Sequence, residues 1–155
     1  MLRGGALASK VRTMNIEPVP PIVVYNHLDG VCLYLTPKAL CDYLESSYIT
    51  DEKFDAYDAE GRAVELRLDE RKAIVVRATE LEPTHAPELR AVLLNALMKS
   101  RSKRYDSPPP GIEAFKLSEL VAAATERLEV VPWKHDSVLA RAFRRIRNRG
   151  QESQS

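Results

Sequence analysis

The sequence predicts an α+β domain: a small, mostly antiparallel sheet covered by one long helix, with a helical appendage at the C-terminal end. Three observations favour this class. Short alternating apolar runs occur before residue 80, one strongly amphipathic helix occupies 83–100, and three consecutive prolines follow at 108–110. The predicted element order through residue 100 is ββαβββα, which suits a compact layered fold.

The first predicted elements are a hairpin over residues 21–35 and a short helix over 36–47. Two β-rich runs flank Asp29-Gly30, a dipeptide typical of a two-residue type I′ turn. Thr36 is the predicted N-cap of the helix. Pro37 then occupies the first helical position, where its missing N–H costs nothing.

Three further strands are predicted at 53–57, 64–68 and 73–78. A turn separates the first two and ends at Gly61, a residue suited to a left-handed backbone. Because short turns connect these strands, we expect the five-stranded sheet to be mostly antiparallel.

The helix over 83–100 has Thr84 as its predicted N-cap and one continuous apolar face. We expect this face to lie across the sheet and close the core. Its members are Leu89, Val92, Leu93, Ala96 and Leu97.

Changes in composition divide the chain into five predicted segments. These are a disordered N-terminal extension (1–13), an α+β domain (14–101), a Pro-rich linker (102–115), a basic C-terminal region with helices at 116–128 and 135–150 (116–150), and a disordered tail (151–155).

The net charge of +1 conceals a split along the chain. Residues 14–100 contain nine Lys and Arg against fifteen Asp and Glu, a net charge of −6. Residues 101–155 contain eleven against seven, a net charge of +4. An acidic body followed by a basic region predicts partners of opposite charge.

Cysteine content and hydropathy predict a cytoplasmic protein without a membrane span. Cys32 and Cys41 are too few for a disulfide framework, which favours a reducing compartment. No apolar run approaches the roughly 18 residues that cross a bilayer.

Motifs for metal, cofactor or nucleotide binding are absent from the sequence, so we expect no cofactor. The histidines at 27, 85 and 135 lack metal-ligand spacing, and the six glycines form no phosphate-binding loop. A calcium loop with Gly61 at its sixth position would begin at Ala56, which has no side-chain oxygen.

An enzyme is also not expected, because no nucleophile lies in a recognised catalytic motif. An active site would have to be assembled from scattered residues. The candidates are His27, Asp29, His85 and Glu88.

Residues 42–60 contain seven carboxylates, with Tyr48 and Tyr57 among them, a pattern with two interpretations. It is either a solvated edge that keeps the domain soluble or a docking surface for a basic partner. On the second interpretation, the predicted partner-binding residues are Tyr48, Asp51, Glu52, Asp55, Tyr57, Asp58 and Glu60.

The helix predicted over 135–150 carries five arginines beside its apolar face. They are either solvated, or in contact with an anionic membrane, nucleic-acid phosphates, the protein's own acidic face or that of a second copy. The predicted nucleic-acid-binding residues are Arg141, Arg144, Arg145, Arg147 and Arg149.

Charge and size together predict a protein-binding or regulatory domain. The most concrete version is an inhibitor of the immunity or antitoxin type, whose acidic face docks on the basic cleft of a nucleic-acid-processing partner. The alternative is a nucleic-acid-associated accessory protein that contacts phosphates through its C-terminal arginines.

Overall fold

The computed structural model describes residues 16–26, 30–51 and 53–131. Six strands and four α-helices occupy them. The strands are β1 (Ile22–Asn26), β2 (Gly30–Tyr34), β3 (Asp55–Tyr57), β4 (Val64–Leu68), β5 (Ile74–Ala78) and β6 (Glu129–Val131). The helices are α1 (Pro37–Tyr43), α2 (Ser46–Asp51), α3 (Ala86–Lys99) and α4 (Leu117–Arg127), with a 3₁₀ turn at Ile112–Ala114.

Four strands form a mixed sheet in the order β3-β1-β2-β6. Strand β1 pairs antiparallel with β2 and with β3, whereas β6 is parallel to β2. Strands β4 and β5 form a separate antiparallel hairpin, which an isolated bridge between Tyr57 and Ala63 joins to β3. The predicted α+β class is confirmed, with a small mixed sheet in place of one five-stranded sheet.

The four-stranded sheet lies between two other layers because its strands are apolar on both faces. Val23 and Leu33 point into one core cluster with α3 and α4. Ile22 and Val24 alternate with them and point into a second cluster with α1 and the β4–β5 hairpin. The resulting sandwich has helices α3 and α4 on one side of the sheet and the hairpin with α1 on the other.

Helix α3 packs on the sheet through the apolar face that the sequence predicts. Leu89, Leu93 and Leu97, spaced four residues apart, are at most 1% exposed. The helix begins at Ala86 with His85 as N-cap, later than predicted. The hydroxyl of Thr84 donates to the carboxylate of Glu80 instead of capping the helix.

Two local predictions need correction. Gly30 already pairs with Asn26 as the first residue of β2, so Gly30 is not part of a two-residue turn. The helix predicted over 36–47 is two helices, because Leu44 adopts an extended conformation after α1. Thr36 and Pro37 do begin α1 as predicted, and the Thr36 hydroxyl accepts from the N–H of Ala39.

Residues 112–131 pack within the same core as the sheet. Leu120, Ala124 and Val130 are at most 3% exposed and share the cluster of α3, and Ile112 joins it from the Pro-rich segment. Strand β6 was not predicted, since three residues carry too little alternation to indicate a strand. Of the C-terminal helices predicted from sequence, only the first, observed at Leu117–Arg127, lies within the described residues.

Candidate interaction surfaces

Two predicted docking residues, Tyr57 and Asp58, are buried in the structure. Tyr57 is 7% exposed and Asp58 is 0% exposed. Burial raises the pKa of Tyr57, and the nearby carboxylates of Asp55 and Glu88 raise it further. The structure therefore corrects the prediction for both residues: they hold the fold together beneath the surface that a partner would touch.

Tyr48 also has a structural role. Its hydroxyl accepts a 2.7 Å hydrogen bond from the amide of the buried Asn26, and its ring lies 5.4 Å from that of Phe54. This contact joins α2 to the face of the sheet that carries the β4–β5 hairpin. The exposed carboxylate of Asp42 belongs to α1, and that of Glu45 lies between α1 and α2.

The acidic stretch is consequently divided between two sides of the sheet. Asp42 lies with α1 on the hairpin side and is paired at 2.7 Å with Lys38. Asp55 alternates with Ala56 on β3, which places it on the side of α3 and α4. The side chain of Asp51 and all of Glu52 lie outside the described residues. The described carboxylates of residues 42–60 therefore do not form a single acidic face.

A different arrangement of carboxylates exists at one end of the sheet, where three segments meet. The chain at 16–21 crosses this end, the turn at 58–63 connects β3 to β4, and the loop at 79–85 leads into α3. Backbone hydrogen bonds join these segments. We call this surface the acidic loop end and define it by the four exposed carboxylates of these segments and of the first turn of α3: Glu17, Glu60, Glu82 and Glu88.

Asp58 holds the acidic loop end together from below. Its carboxylate accepts backbone N–H groups from Val19 at 3.2 Å, Glu60 at 3.0 Å and Arg62 at 2.9 Å. It also lies 3.4 Å from the guanidinium of Arg62, which in turn donates to the carbonyl of Leu81. One buried carboxylate thus fixes the turn and the 16–21 segment directly, and the 79–85 loop through Arg62.

Large apolar side chains are exposed at the same place. Leu81 is 51% exposed and Val19 is 38% exposed, although the core of this domain buries most residues of their kind. The backbones of both are fixed by the pair formed by Asp58 and Arg62. An exposed apolar pair on a hydrogen-bonded frame, beside carboxylates of which only Glu60 is ion-paired with a described residue, resembles the centre and rim of a protein interface.

His85 and Glu80 form a polar cluster at the start of α3. The ring nitrogen Nδ1 of His85 lies 2.8 Å from Oε1 of Glu80. Burial alone would raise the pKa of Glu80, but hydrogen bonds from Thr84, His85 and the N–H of Ala63 lower it to about 2. The hydrogen bond to Glu80 raises the pKa of His85.

This cluster predicts a pH optimum of stability. The contribution of Glu80 is present above its ordinary pKa near 4.5 and is lost as the pH falls toward 2. The contribution of His85 is present below its ordinary pKa near 6.5 and is lost as the pH rises through its higher folded value. We expect Glu80→Gln to cost about 1–2 kcal/mol in the free energy of unfolding near pH 5.5, with a smaller loss at pH 3 and pH 9.

Urea unfolding at the three pH values checks this prediction. Glu82→Gln is the matched control, because Glu82 is exposed and its carboxylate accepts no hydrogen bond from the described residues. Equal losses for the two variants at every pH would contradict the assignment.

Only two of the four residues proposed for an active site from the sequence, His85 and Glu88, lie in the described part of the chain. His27 and Asp29 lie outside it, and the carboxylate bonded to His85 is Glu80, not Glu88. Sequence reasoning missed Glu80 because the pairing depends on the loop bending back over five residues. Among the described residues no group of three or more His, Cys, Asp or Glu is arranged to hold a metal ion.

A basic patch occupies the opposite end of α3. Four cations follow within six residues of sequence, and Arg127 joins them from the last turn of α4. Tyr105 links the two groups, since the guanidinium of Arg127 lies 4.2 Å and that of Arg104 5.2 Å from its ring centre. The basic patch is Lys99, Arg101, Lys103, Arg104 and Arg127.

The sequence predicts a linker over 102–115 and does not single out the basic patch. The signal was present, because residues 99–104 contain four bases and no acid. The contribution of Arg127 was not visible, because it depends on how α4 packs. The predicted nucleic-acid contacts lie outside the described residues: Arg141, Arg144, Arg145, Arg147 and Arg149.

Comparisons of the chain with protein-family models, with curated proteins and with solved structures gave no match. Within the described ranges, no helix is both long and apolar enough to cross a membrane. Neither Cys32 nor Cys41 forms a disulfide.

Proposed function

We propose that this chain is a protein-binding, regulatory domain that docks a basic partner on its acidic loop end. The observation that carries the proposal is the exposure of Leu81 and Val19 within a group of carboxylates. Leaving apolar side chains of this size exposed to water costs free energy, and the described core buries many other leucines and valines.

The charges of the acidic loop end support a basic partner. Of its four exposed carboxylates, only Glu60 forms an ion pair with a described residue, at 3.2 Å from Arg62. Unpaired carboxylates around an apolar centre attract a positively charged surface and exclude a negative one.

The geometry favours a rigid docking surface. The three segments of the acidic loop end are fixed by the buried carboxylate of Asp58 and by the N–H of His85, which donates to the carbonyl of Gly61 at 2.9 Å. A surface that is ordered before binding loses little conformational entropy on binding. This property suits an inhibitor of the immunity or antitoxin type, which must block its partner tightly and by steric contact.

The proposal assigns a nucleic-acid-processing protein as the partner, because the cleft of such a protein is basic. A cytoplasmic location, which the cysteines favour, is part of the same proposal. Genomic context supplies the probe: the protein encoded beside this chain, if it has a basic domain, is the one to purify and test.

The test is the affinity of that neighbouring protein for the wild type and for charge-reversal variants. We expect Glu82→Lys to weaken binding about tenfold, and Leu81→Ser to weaken it about as much because it removes the apolar centre. Glu70→Lys is the matched control, since Glu70 is exposed in the turn between β4 and β5 at the far end of the hairpin. Titration calorimetry at two salt concentrations measures all four proteins.

Two outcomes contradict the proposal. Equal losses for Glu82→Lys and Glu70→Lys would show that only net charge matters. Binding that survives Leu81→Ser and Glu82→Lys would show that the acidic loop end is not the contact.

A further inference from the structure

We infer that the basic patch binds the phosphate backbone of a nucleic acid. This surface is separate from the acidic loop end, and its residues differ from the C-terminal arginines that the sequence singled out. The patch contains the densest run of cations among the described residues. Lys99, Arg101, Lys103 and Arg104 are exposed, and Arg127 is half-buried.

The two helices bring the cations together at one end of the molecule. Arg90, early in α3, donates to the carbonyl of Glu113 just before α4, and Arg127 at the end of α4 donates to the carbonyl of Ser107. Helices α3 and α4 therefore run in the same direction, and their C-terminal ends lie side by side. The loop between them carries the rest of the patch.

The negative groups near the patch neutralise only part of its positive charge. No described acid forms an ion pair with any of its five cations. Asp106 and Glu126 are the acids nearby, and Glu126 accepts a hydrogen bond from the Tyr105 hydroxyl. The two helix C-termini offset roughly one further unit of charge, which leaves a clear positive excess for a ligand.

Part of the patch is held in place before any ligand arrives. The guanidinium of Arg101 donates to the carbonyls of Met98 and Ser100 at 2.8 and 2.7 Å, and so caps the end of α3. Arg127 is fixed by Ser107 and by the ring of Tyr105. Arginine side chains positioned in this way keep further N–H donors for phosphate oxygens.

The composition of the patch favours nucleic acid over an anionic membrane. Insertion into a bilayer needs an apolar face beside the cations. The neighbourhood offers only Met98, which is 40% exposed, as a large exposed apolar side chain among the described residues. A chain of phosphates, by contrast, requires only a row of cations on a solvated surface.

The test measures binding of the full chain to a 20-base-pair DNA duplex of mixed sequence and to the matching single-stranded RNA. Fluorescence anisotropy is recorded from about 25 to 200 mM salt. The patch variant combines Lys99→Gln, Lys103→Gln and Arg104→Gln. The control variant combines Lys53→Gln, Arg67→Gln and Arg71→Gln, which removes the same charge from exposed positions outside the patch.

We expect the patch variant to lose at least tenfold in affinity at 100 mM salt, while the control loses less than twofold. The slope of log K against log salt for the duplex should fall by about 2 to 3, because each phosphate contact contributes about 0.9. Circular dichroism melting confirms that both variants fold.

Three results overturn the inference. Equal losses of affinity for the two variants would show that binding depends only on the net charge of the protein. An undiminished affinity of the patch variant would assign binding to another part of the chain. Patch-dependent binding to phosphatidylserine vesicles without patch-dependent binding to either oligonucleotide would identify a membrane surface as the ligand.

Discussion

Asp58→Ala is expected to lower the free energy of unfolding by about 4 kcal/mol. The carboxylate is 0% exposed and accepts three backbone N–H groups, from Val19, Glu60 and Arg62. Its removal leaves these donors without an acceptor and leaves the guanidinium of Arg62 without its buried partner. A loss of this size is a large fraction of the stability of a domain of this length.

Urea unfolding monitored by circular dichroism measures the effect, with Asp55→Ala as the matched control. Asp55 is the exposed aspartate three positions earlier, and its replacement is expected to change stability by less than about 0.5 kcal/mol. Asp58→Asn keeps one acceptor oxygen and should fall between the two. If Asp58→Ala and Asp55→Ala unfold at the same urea concentration, Asp58 does not hold the loops together.

Gly61→Ala is expected to cost about 3 kcal/mol, through backbone strain and through a steric clash. The backbone of Gly61 has φ +99°, and a Cβ atom there would lie 2.4 Å from Cα of Ala86. The clash involves the backbone at the start of α3, which cannot move aside as a flexible side chain would. The hydrogen bond from the N–H of His85 to the carbonyl of Gly61 would be disturbed as well.

Gly111→Ala is the control that separates strain from clash. Gly111 also has a positive φ, +71°, but no atom lies within 4 Å of the position of its Cβ. We expect its replacement to cost about 1 kcal/mol. Thermal and urea unfolding of both variants give the comparison, and equal costs would show that the close approach of Gly61 to α3 is unimportant.

Local signals in the sequence predicted most of the elements. The spacing of Leu89, Leu93 and Leu97 indicated the buried face of α3, and Thr36 with Pro37 indicated the start of α1. These patterns are carried by neighbouring residues and need no knowledge of the tertiary structure. The turn that ends at Gly61 was predicted for the same reason.

The candidate surfaces were predicted less well, because they depend on long-range packing. Asp58 was indistinguishable in sequence from the exposed Asp55, and only the folding of the turn against Val19 makes it structural. The acidic loop end combines residues from 17 to 88. Such a juxtaposition follows from the topology and not from any contiguous stretch of sequence.

Strand β6 has a consequence for how the polypeptide folds. Cys32 pairs with Glu129, and Tyr34 pairs with Val131, so the inner strand β2 acquires its second neighbour from the far part of the chain. Closing so long a loop is entropically costly and slow. While the polypeptide is being synthesised, one edge of β2 stays open until β6 emerges from the ribosome, and the nascent protein is most vulnerable to aggregation in that interval.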